Sequence, residues 1–324
     1  MSEPLELVVS VSPHIRAKEI VSGIIGWVIL TLLPVTLMSV YVFGLYAVKI
    51  IILSVGTTVL TEAAIQKLRK IPITIGDGSA ALTGLLLALI LPPRVPWWIP
   101  VIGGLVAITL GKQVFGGLGY NVFNPALVGR AVLMVSWAEP MAQSWLSPLG
   151  RLDAVSTATP LALMKQARAG LAQFHSAYYY KPLLFTNPGG CLGEVSALLL
   201  LVGATILLYK RIIEWRIPAG FLSTVFVLSL FTKTDPFFQV LAGGLLLGAF
   251  FMATDYVTSP VTPRGTLIFG IGCGFITVLL RCFSNVPEGV TCAILFMNAF
   301  TPLIDRYTMP RVYGKGKRRE KAPL

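Results

Sequence analysis

Two long apolar runs near the start constrain this chain more than any other feature. Ile20 to Phe43 and Leu45 to Ile65 carry few charges, and each meets the roughly 20 apolar residues that a helix needs to cross a bilayer core of about 30 Å. Only helices and closed barrels satisfy every backbone polar group in lipid, and continuous apolar runs read as helices. With the criterion relaxed for interrupted helices, about ten spans follow. After the first two come Ala80–Leu91, closed by Pro92 and Pro93, Trp98–Phe115, and Asn124–Trp137. Beyond a polar interval lie Leu192–Tyr209, Ile217–Phe231, Phe237–Ala253, Thr266–Phe283 and Val290–Ile304. The third is short enough to be re-entrant.

Composition agrees: 55% of residues are hydrophobic and 12% charged, against about 25% charged in soluble domains. The formal charge of +12 would suit nucleic acid only if basic residues clustered on a soluble face. Here they fall in short clusters between apolar runs, which argues for the lipid bilayer and against nucleic acid. The first run is longer than a signal-peptide core and is expected to stay in the mature protein.

With the N-terminus inside and ten alternating spans, 17 basic residues fall inside and seven outside, Lys112 counting as inside and Arg281 as outside. Lys49 and Arg130 lie within spans. The bias predicts both termini in the cytoplasm and an outer loop at 139–187. The expected organisation is a membrane half at 1–138, that loop, a second half at 188–305, and a basic cytoplasmic tail at 306–324. Thr83-Gly84-Leu85-Leu86-Leu87-Ala88 in the third span is similar to Gly243-Gly244-Leu245-Leu246-Leu247-Gly248 in the eighth. That spacing of five spans is what an inverted repeat with broken helices requires, though Gly-Leu-Leu-Leu also recurs by chance in apolar chains.

Several polar residues need an explanation. Arg130 lies in an apolar run where a charge costs roughly 2.5–3.5 kcal/mol on insertion scales, and either snorkels, pairs, or contacts an anionic ligand. Asn121 and Asn124 enter that span after Gly116-Gly117-Leu118-Gly119. Asp77 and Asp255 are ordinary as helix caps, and as paired features of the two halves they could line a central cofactor or ion site. His14 and His175 lie outside the spans, so a transmembrane haem has no histidine ligands. Cys191, Cys273, Cys282 and Cys292 form no C-x-x-C pair and read as buried structural thiols, with no metal site. An iron–sulfur cluster would need cysteines from a partner. In the outer loop, Thr159-Pro160 is a helix start, threonine as N-cap and proline first in the helix, ahead of Leu161–Phe174. A helix N-terminus is also an anion site.

Asp153-Ala154-Val155-Ser156-Thr157-Ala158-Thr159 resembles the flavinylation motif Asp-x-x-Ser/Thr-Gly-Ala-Thr, in which a flavin transferase joins FMN to the last threonine as a phosphoester. Asp153, Ser156 and Ala158 match the recognition positions, Thr159 matches the acceptor, and Thr157 replaces the usual glycine. Further segments carry a wider resemblance: Ser12-Pro13-His14-Ile15-Arg16, Gly76-Asp77-Gly78-Ser79, Asn121 to Arg130, Met252 to Pro260, Met297-Asn298 and Pro302-Leu303-Ile304-Asp305. In this order they resemble the family of the D subunit of the Rnf complex, related to the B subunit of the sodium-translocating NADH:quinone oxidoreductase. The resemblance implies an all-α fold of two inverted five-helix repeats, like urea and ammonium transporters. It further implies a plasma-membrane component of a bacterial or archaeal translocase, not an enzyme by itself, that relays electrons between ferredoxin and NAD and couples them to Na⁺ or H⁺ movement.

Covalent FMN on Thr159 would face outward near the flavinylated G subunit, among the other Rnf subunits. A second, noncovalent flavin such as riboflavin, or an ion, would sit at midplane among Asp77, Asn121, Asn124, Arg130, Asp255, Thr258 and Ser259. No residue is expected to be catalytic in its own right, because the flavin carries the redox chemistry. The competing class is a channel or secondary transporter of the same architecture without redox chemistry, which leaves the flavinylation motif without a use. The topology makes a direct prediction: an alkaline phosphatase fusion within 145–170 is active in cells, and one after Arg311 is inactive. The reverse pattern would place the Thr159 loop inside.

Overall fold

The computed structural model describes residues 21–145, 159–168, 177–186, 189–232, 234–284 and 289–310. Its regular structure is helical, with no strand among the described residues. The helices are α1 Val21–Phe43, α2 Leu45–Leu68, α3 Ser79–Leu89, α4 Trp98–Ile108, α5 Pro125–Ser136, α6 Ala138–Gln143 and α7 Pro160–Arg168. They continue with α8 Ala177–Phe185, α9 Ala197–Tyr209, α10 Arg216–Phe231, α11 Pro236–Leu241, α12 Leu245–Leu247, α13 Pro263–Phe283 and α14 Val290–Thr308. Among the described residues α1, α2 and α13 are long and apolar enough to cross a membrane, and five further apolar helices are shorter. The chain is a multi-pass membrane protein.

Burial runs against the soluble pattern. On α1, Leu30, Leu33 and Leu37 face outward, while Thr31, Thr36 and Ser39 are buried. Their hydroxyls bond inward: Thr31 to the Val28 carbonyl (2.9 Å), Thr36 to the Leu32 carbonyl (2.9 Å), and Ser39 to the Leu192 carbonyl. Without a hydrophobic drive between helices in lipid, small residues that allow close approach and polar groups that bond across helices hold the bundle. Gly84 lets α3 press on α2, since a Cβ there would lie 2.7 Å from the Val55 Cα.

Two interruptions mark the bundle, the short third span that was expected and a break in the eighth that was not. The third span is an eleven-residue helix that rises about 16 Å at 1.5 Å per residue, roughly half the hydrocarbon core. Its end is covered by the chain at 191–192: the Cys191 thiol donates to the Ile90 carbonyl (3.1 Å) and the Leu192 N–H to the Leu91 carbonyl (3.2 Å). The eighth span, expected as one helix, is split between α11 and α12 by Gly243 and Gly244, both at positive φ (71° and 65°). Arg281 covers this break. Its Nη1 donates to the Gln239 carbonyl (2.6 Å) and Oε1 (2.7 Å), and its Nη2 to the Ala242 carbonyl (2.9 Å). Arg281 is therefore a buried structural cation and not a flanking charge at the outer end of its span, as the topology count assigns it.

Two π-helical turns follow. Thr109–Gln113 extends α4, with the Val114 N–H bonding the Thr109 carbonyl, and Gly248–Met252 extends α12, with the Ala253 N–H bonding the Gly248 carbonyl. The cysteines differ from one another: Cys191 and Cys273 are buried as expected, but Cys282 is half-buried and Cys292 exposed. Cys292 sits on the outward side of α14, so its thiol is not a core group. Gly84→Val should lower stability by about 1–3 kcal/mol, the usual cost of overpacking, read as a reduced melting temperature in detergent. Gly56→Ala, where a Cβ meets open space, should be neutral or stabilising.

Candidate functional site

An open cavity of about 820 Å³ lies between the first and second parts of the chain. Its apolar wall includes Ile24, Ile25 and Val28 of α1, Leu207 of α9, Ile212, and Phe250 and Phe251 of the second π-turn. Polar groups converge from the other side: Ser79, Lys112, Asn121, Asn124, Thr254 and Asp255. An apolar pocket with a few placed polar groups is the usual form of a small-molecule site.

Asn124 caps α5, accepting from the Ala126 N–H (3.1 Å) and Leu127 N–H (3.4 Å), with Pro125 first in the helix. Its Nδ2 donates to the Met252 carbonyl (3.3 Å), tying the α5 start to the second π-turn. The fully buried Asn298 fits its surroundings with its amide oxygen accepting from the Asn124 N–H (3.2 Å). Asn121 donates to the Phe123 carbonyl (3.2 Å). Its Oδ1 is buried at the cavity and accepts no hydrogen bond among the described residues. A buried amide oxygen left without a donor costs about 1–3 kcal/mol, which points to a ligand or water supplying one.

Sequence reading missed the most charged part of this wall. Lys112 and Glu62, 2% and 1% exposed, form an ion pair, with Nζ 2.7 Å and 2.8 Å from the two carboxylate oxygens. The third Nζ donor goes to Ser79 Oγ (2.6 Å), which bonds Asp77 Oδ1 (2.6 Å). Gln113 Nε2 (3.2 Å) and Gln66 Nε2 (3.3 Å) also donate to Glu62, and Gln66 Nε2 bonds Thr74 Oγ1 (2.8 Å). Lys112, counted as an inside charge near the end of its span, is buried. The available signal was Glu62 itself, a carboxylate inside an apolar run with Gln66 one turn later.

The expected midplane set divides. Asn121, Asn124 and Asp255 line the cavity. Asp77 stands behind it, its Oδ1 taking the Ser79 N–H (2.8 Å) as a helix-start cap. Thr258 and Ser259 serve the turn after the π-helix: Thr258 Oγ1 bonds Asp255 Oδ2 (3.2 Å), and the Ser259 N–H bonds the Asp255 carbonyl (3.1 Å). Arg130 lies in a separate cavity of about 290 Å³ with Cys191, Glu194 and the Gly243-Gly244 break. Its Nη2 is 3.5 Å from Cys191 Sγ, so the arginine is buried, not snorkelling.

Glu194 also lines a third cavity of about 240 Å³, together with Thr159, Leu161, Leu183 and Gly243. Thr159 precedes α7, is 7% exposed, and accepts from the Ala162 N–H (3.2 Å) through its hydroxyl. The expected cap is therefore present. Asp153, Ser156, Thr157 and Ala158 lie outside the described residues. Glu194 stands just before α9 and Leu207 near its end. The Thr159 cavity and the large cavity thus flank opposite ends of a thirteen-residue helix, about 20 Å apart at 1.5 Å per residue.

Residues 8–314 match the model of the NQR2, RnfD, RnfE family. The chain belongs to that family. Among its members, it is 48% identical over 98% of each chain to the D subunit of the Na⁺-translocating ferredoxin:NAD⁺ oxidoreductase complex of Acetobacterium woodii. It is 45% identical to the D subunit of the proton-translocating ferredoxin:NAD⁺ oxidoreductase complex of Clostridium ljungdahlii, over 94% of this chain and 96% of the relative. The D subunit of the ion-translocating oxidoreductase complex of Stutzerimonas stutzeri is 43% identical over 90% of this chain and 91% of the relative.

Removing one partner of a buried ion pair strands the other charge, at about 3–5 kcal/mol. Lys112→Met should therefore lower the melting temperature of this family member sharply. Lys112→Met combined with Glu62→Leu should recover most of the loss. An additive double variant would mean that the pair is not coupled.

Proposed function

We propose that the chain is the membrane D-type subunit of an ion-translocating ferredoxin:NAD⁺ oxidoreductase complex, relaying electrons through flavins. The carrying observation is the 48% identity over 98% of both chains to a relative of that name. Two of the relatives named above differ in their ion, Na⁺ in one and protons in the other, so the family accommodates either. The partners are the other subunits of the complex, including the flavinylated G subunit, and a flavin transferase for maturation.

The two parts of the chain, 1–138 and 188–305, are read as inverted five-helix repeats of the kind seen in urea and ammonium transporters, with both termini cytoplasmic. Parallel features support this. Each part has an interrupted helix, α3 in one and α11–α12 in the other. Each has a buried cation at the end of the helix that follows, Lys112 after α4 and Arg281 on α13. Lys112 bonds the start of α3 through Ser79, and Arg281 bonds the end of α11.

Thr159, the last residue of the flavinylation-like motif, is the proposed FMN anchor on the outer side. As a phosphoester it would keep acceptor oxygens at the start of α7, where backbone N–H groups and the helix dipole favour a phosphate. The cavity at Thr159 has room for about one water, so the flavin ring would lie outside it. The large cavity is the proposed noncovalent flavin site. Its Phe250 and Phe251 wall suits a flat aromatic ring, and Asn121 Oδ1 supplies an acceptor for a ring N–H. A flavin supplies one- and two-electron chemistry there; the protein supplies position, polarity and exclusion of water.

Coexpression with a flavin transferase tests the anchor. The denatured wild-type band should fluoresce under ultraviolet light, Thr159→Ala should abolish the signal, and Thr157→Ala should retain it. A dark wild-type band would overturn the covalent assignment and favour a transporter without redox chemistry.

A further inference from the structure

We infer that Lys112 is a positioning residue that sets the reduction potential of the flavin in the large cavity, by presenting a fixed positive charge to it. The inference rests on the noncovalent flavin reading above. Lys112 and Ser79 form part of the cavity wall, whereas Glu62 is not among the lining residues. Of the two partners, the lysine reaches the cavity wall and the carboxylate stands behind it. Both groups are almost completely buried, where salt and water screen a charge far less than at a surface.

The geometry gives this charge a selective effect. An ammonium has three donors, and all three are engaged, two with Glu62 and one with Ser79 Oγ. None remains to hold a neutral oxidised ring by a direct hydrogen bond. Two electrons and one proton added to a neutral flavin leave one net negative charge on the ring. The electrons come from the ferredoxin-type donor of the complex and the proton from water. The fixed cation favours that charged state over the oxidised one, and a difference in affinity between redox states is a shift in potential. The other ionisable groups of the wall are Asp255, whose Oδ2 accepts from Thr258 Oγ1 (3.2 Å), and Tyr256, whose hydroxyl donates to the Ile212 carbonyl.

The test uses the full-length Thr159→Ala chain, purified in detergent and reconstituted with riboflavin, so that a single flavin titrates in a dithionite spectroelectrochemical experiment. Lys112→Gln should weaken the reduced form relative to the oxidised form by at least tenfold, about 30 mV for a two-electron couple. Glu62→Gln, which leaves the lysine uncompensated, should shift the potential the opposite way. Ser79→Ala keeps the ion pair and frees one N–H toward the cavity, so it should raise the potential even where the pair variants fail to fold. Riboflavin bound at wild-type stoichiometry with an unchanged potential in Ser79→Ala and Lys112→Gln would overturn the inference, as would shifts of the same sign in the Lys112 and Glu62 variants. Failure of the Thr159→Ala chain to bind riboflavin would instead overturn the cavity's assignment to a flavin, and with it the role of Lys112.

Discussion

A lipid core offers no water to backbone groups, and each unsatisfied N–H or carbonyl there costs several kcal/mol. The interruptions in this bundle depend on that constraint being met from within the protein. Where α3 stops short, the thiol and backbone at 191–192 take up the carbonyls of the two residues that follow it. Where the chain breaks between α11 and α12, the guanidinium of Arg281 does the same. Only with those groups in place can irregular backbone exist inside the bundle and line cavities. The cavities are thus a product of how the breaks are satisfied.

The two buried cations solve this problem differently. Arg281 spreads its planar array of donors over several carbonyls at the broken helix end. Lys112 is a point charge held by one carboxylate and one hydroxyl. Arginine's fork matches multiple acceptors and lysine's compact ammonium does not, so neither would serve in the other's place. Glu194 lines both the Thr159 cavity and the Arg130 cavity, and so joins the start of α7 to the centre of the bundle.

The helices of the membrane domain were largely legible because apolar run length reports directly on the lipid solvent. Most span limits fall within a few residues of the helices observed, and Thr159-Pro160 does start a helix. Charges near span ends were not legible. Lys112 and Arg281 look like flanking charges at span ends in a linear reading, and their burial depends on partners 50 and 42 residues away. The seven-residue candidate set divides for a related reason. Asn121, Asn124 and Asp255 meet at one cavity, but the short polar residues Thr258 and Ser259 satisfy a turn, and Arg130 belongs to a neighbouring space. Residue type marked each as unusual in lipid, while only folding decides which of them share a wall.

The two π-turns give the large cavity an unusual origin. A bond from residue i to i−5 holds one residue more than a regular turn, and in an α-helix each residue advances about 100° around the axis. Thr109–Gln113 and Gly248–Met252 each introduce such an offset, and the cavity wall lies within or just beyond them: Lys112 on one side, Phe250, Phe251 and Thr254 on the other. The site is in this sense written as an insertion in helical phase. A one-residue deletion in either turn would leave composition and hydropathy almost untouched, yet rotate the wall toward lipid. Indels in these two turns, more than substitutions, mark where a homologous chain would lose the cavity while keeping the bundle.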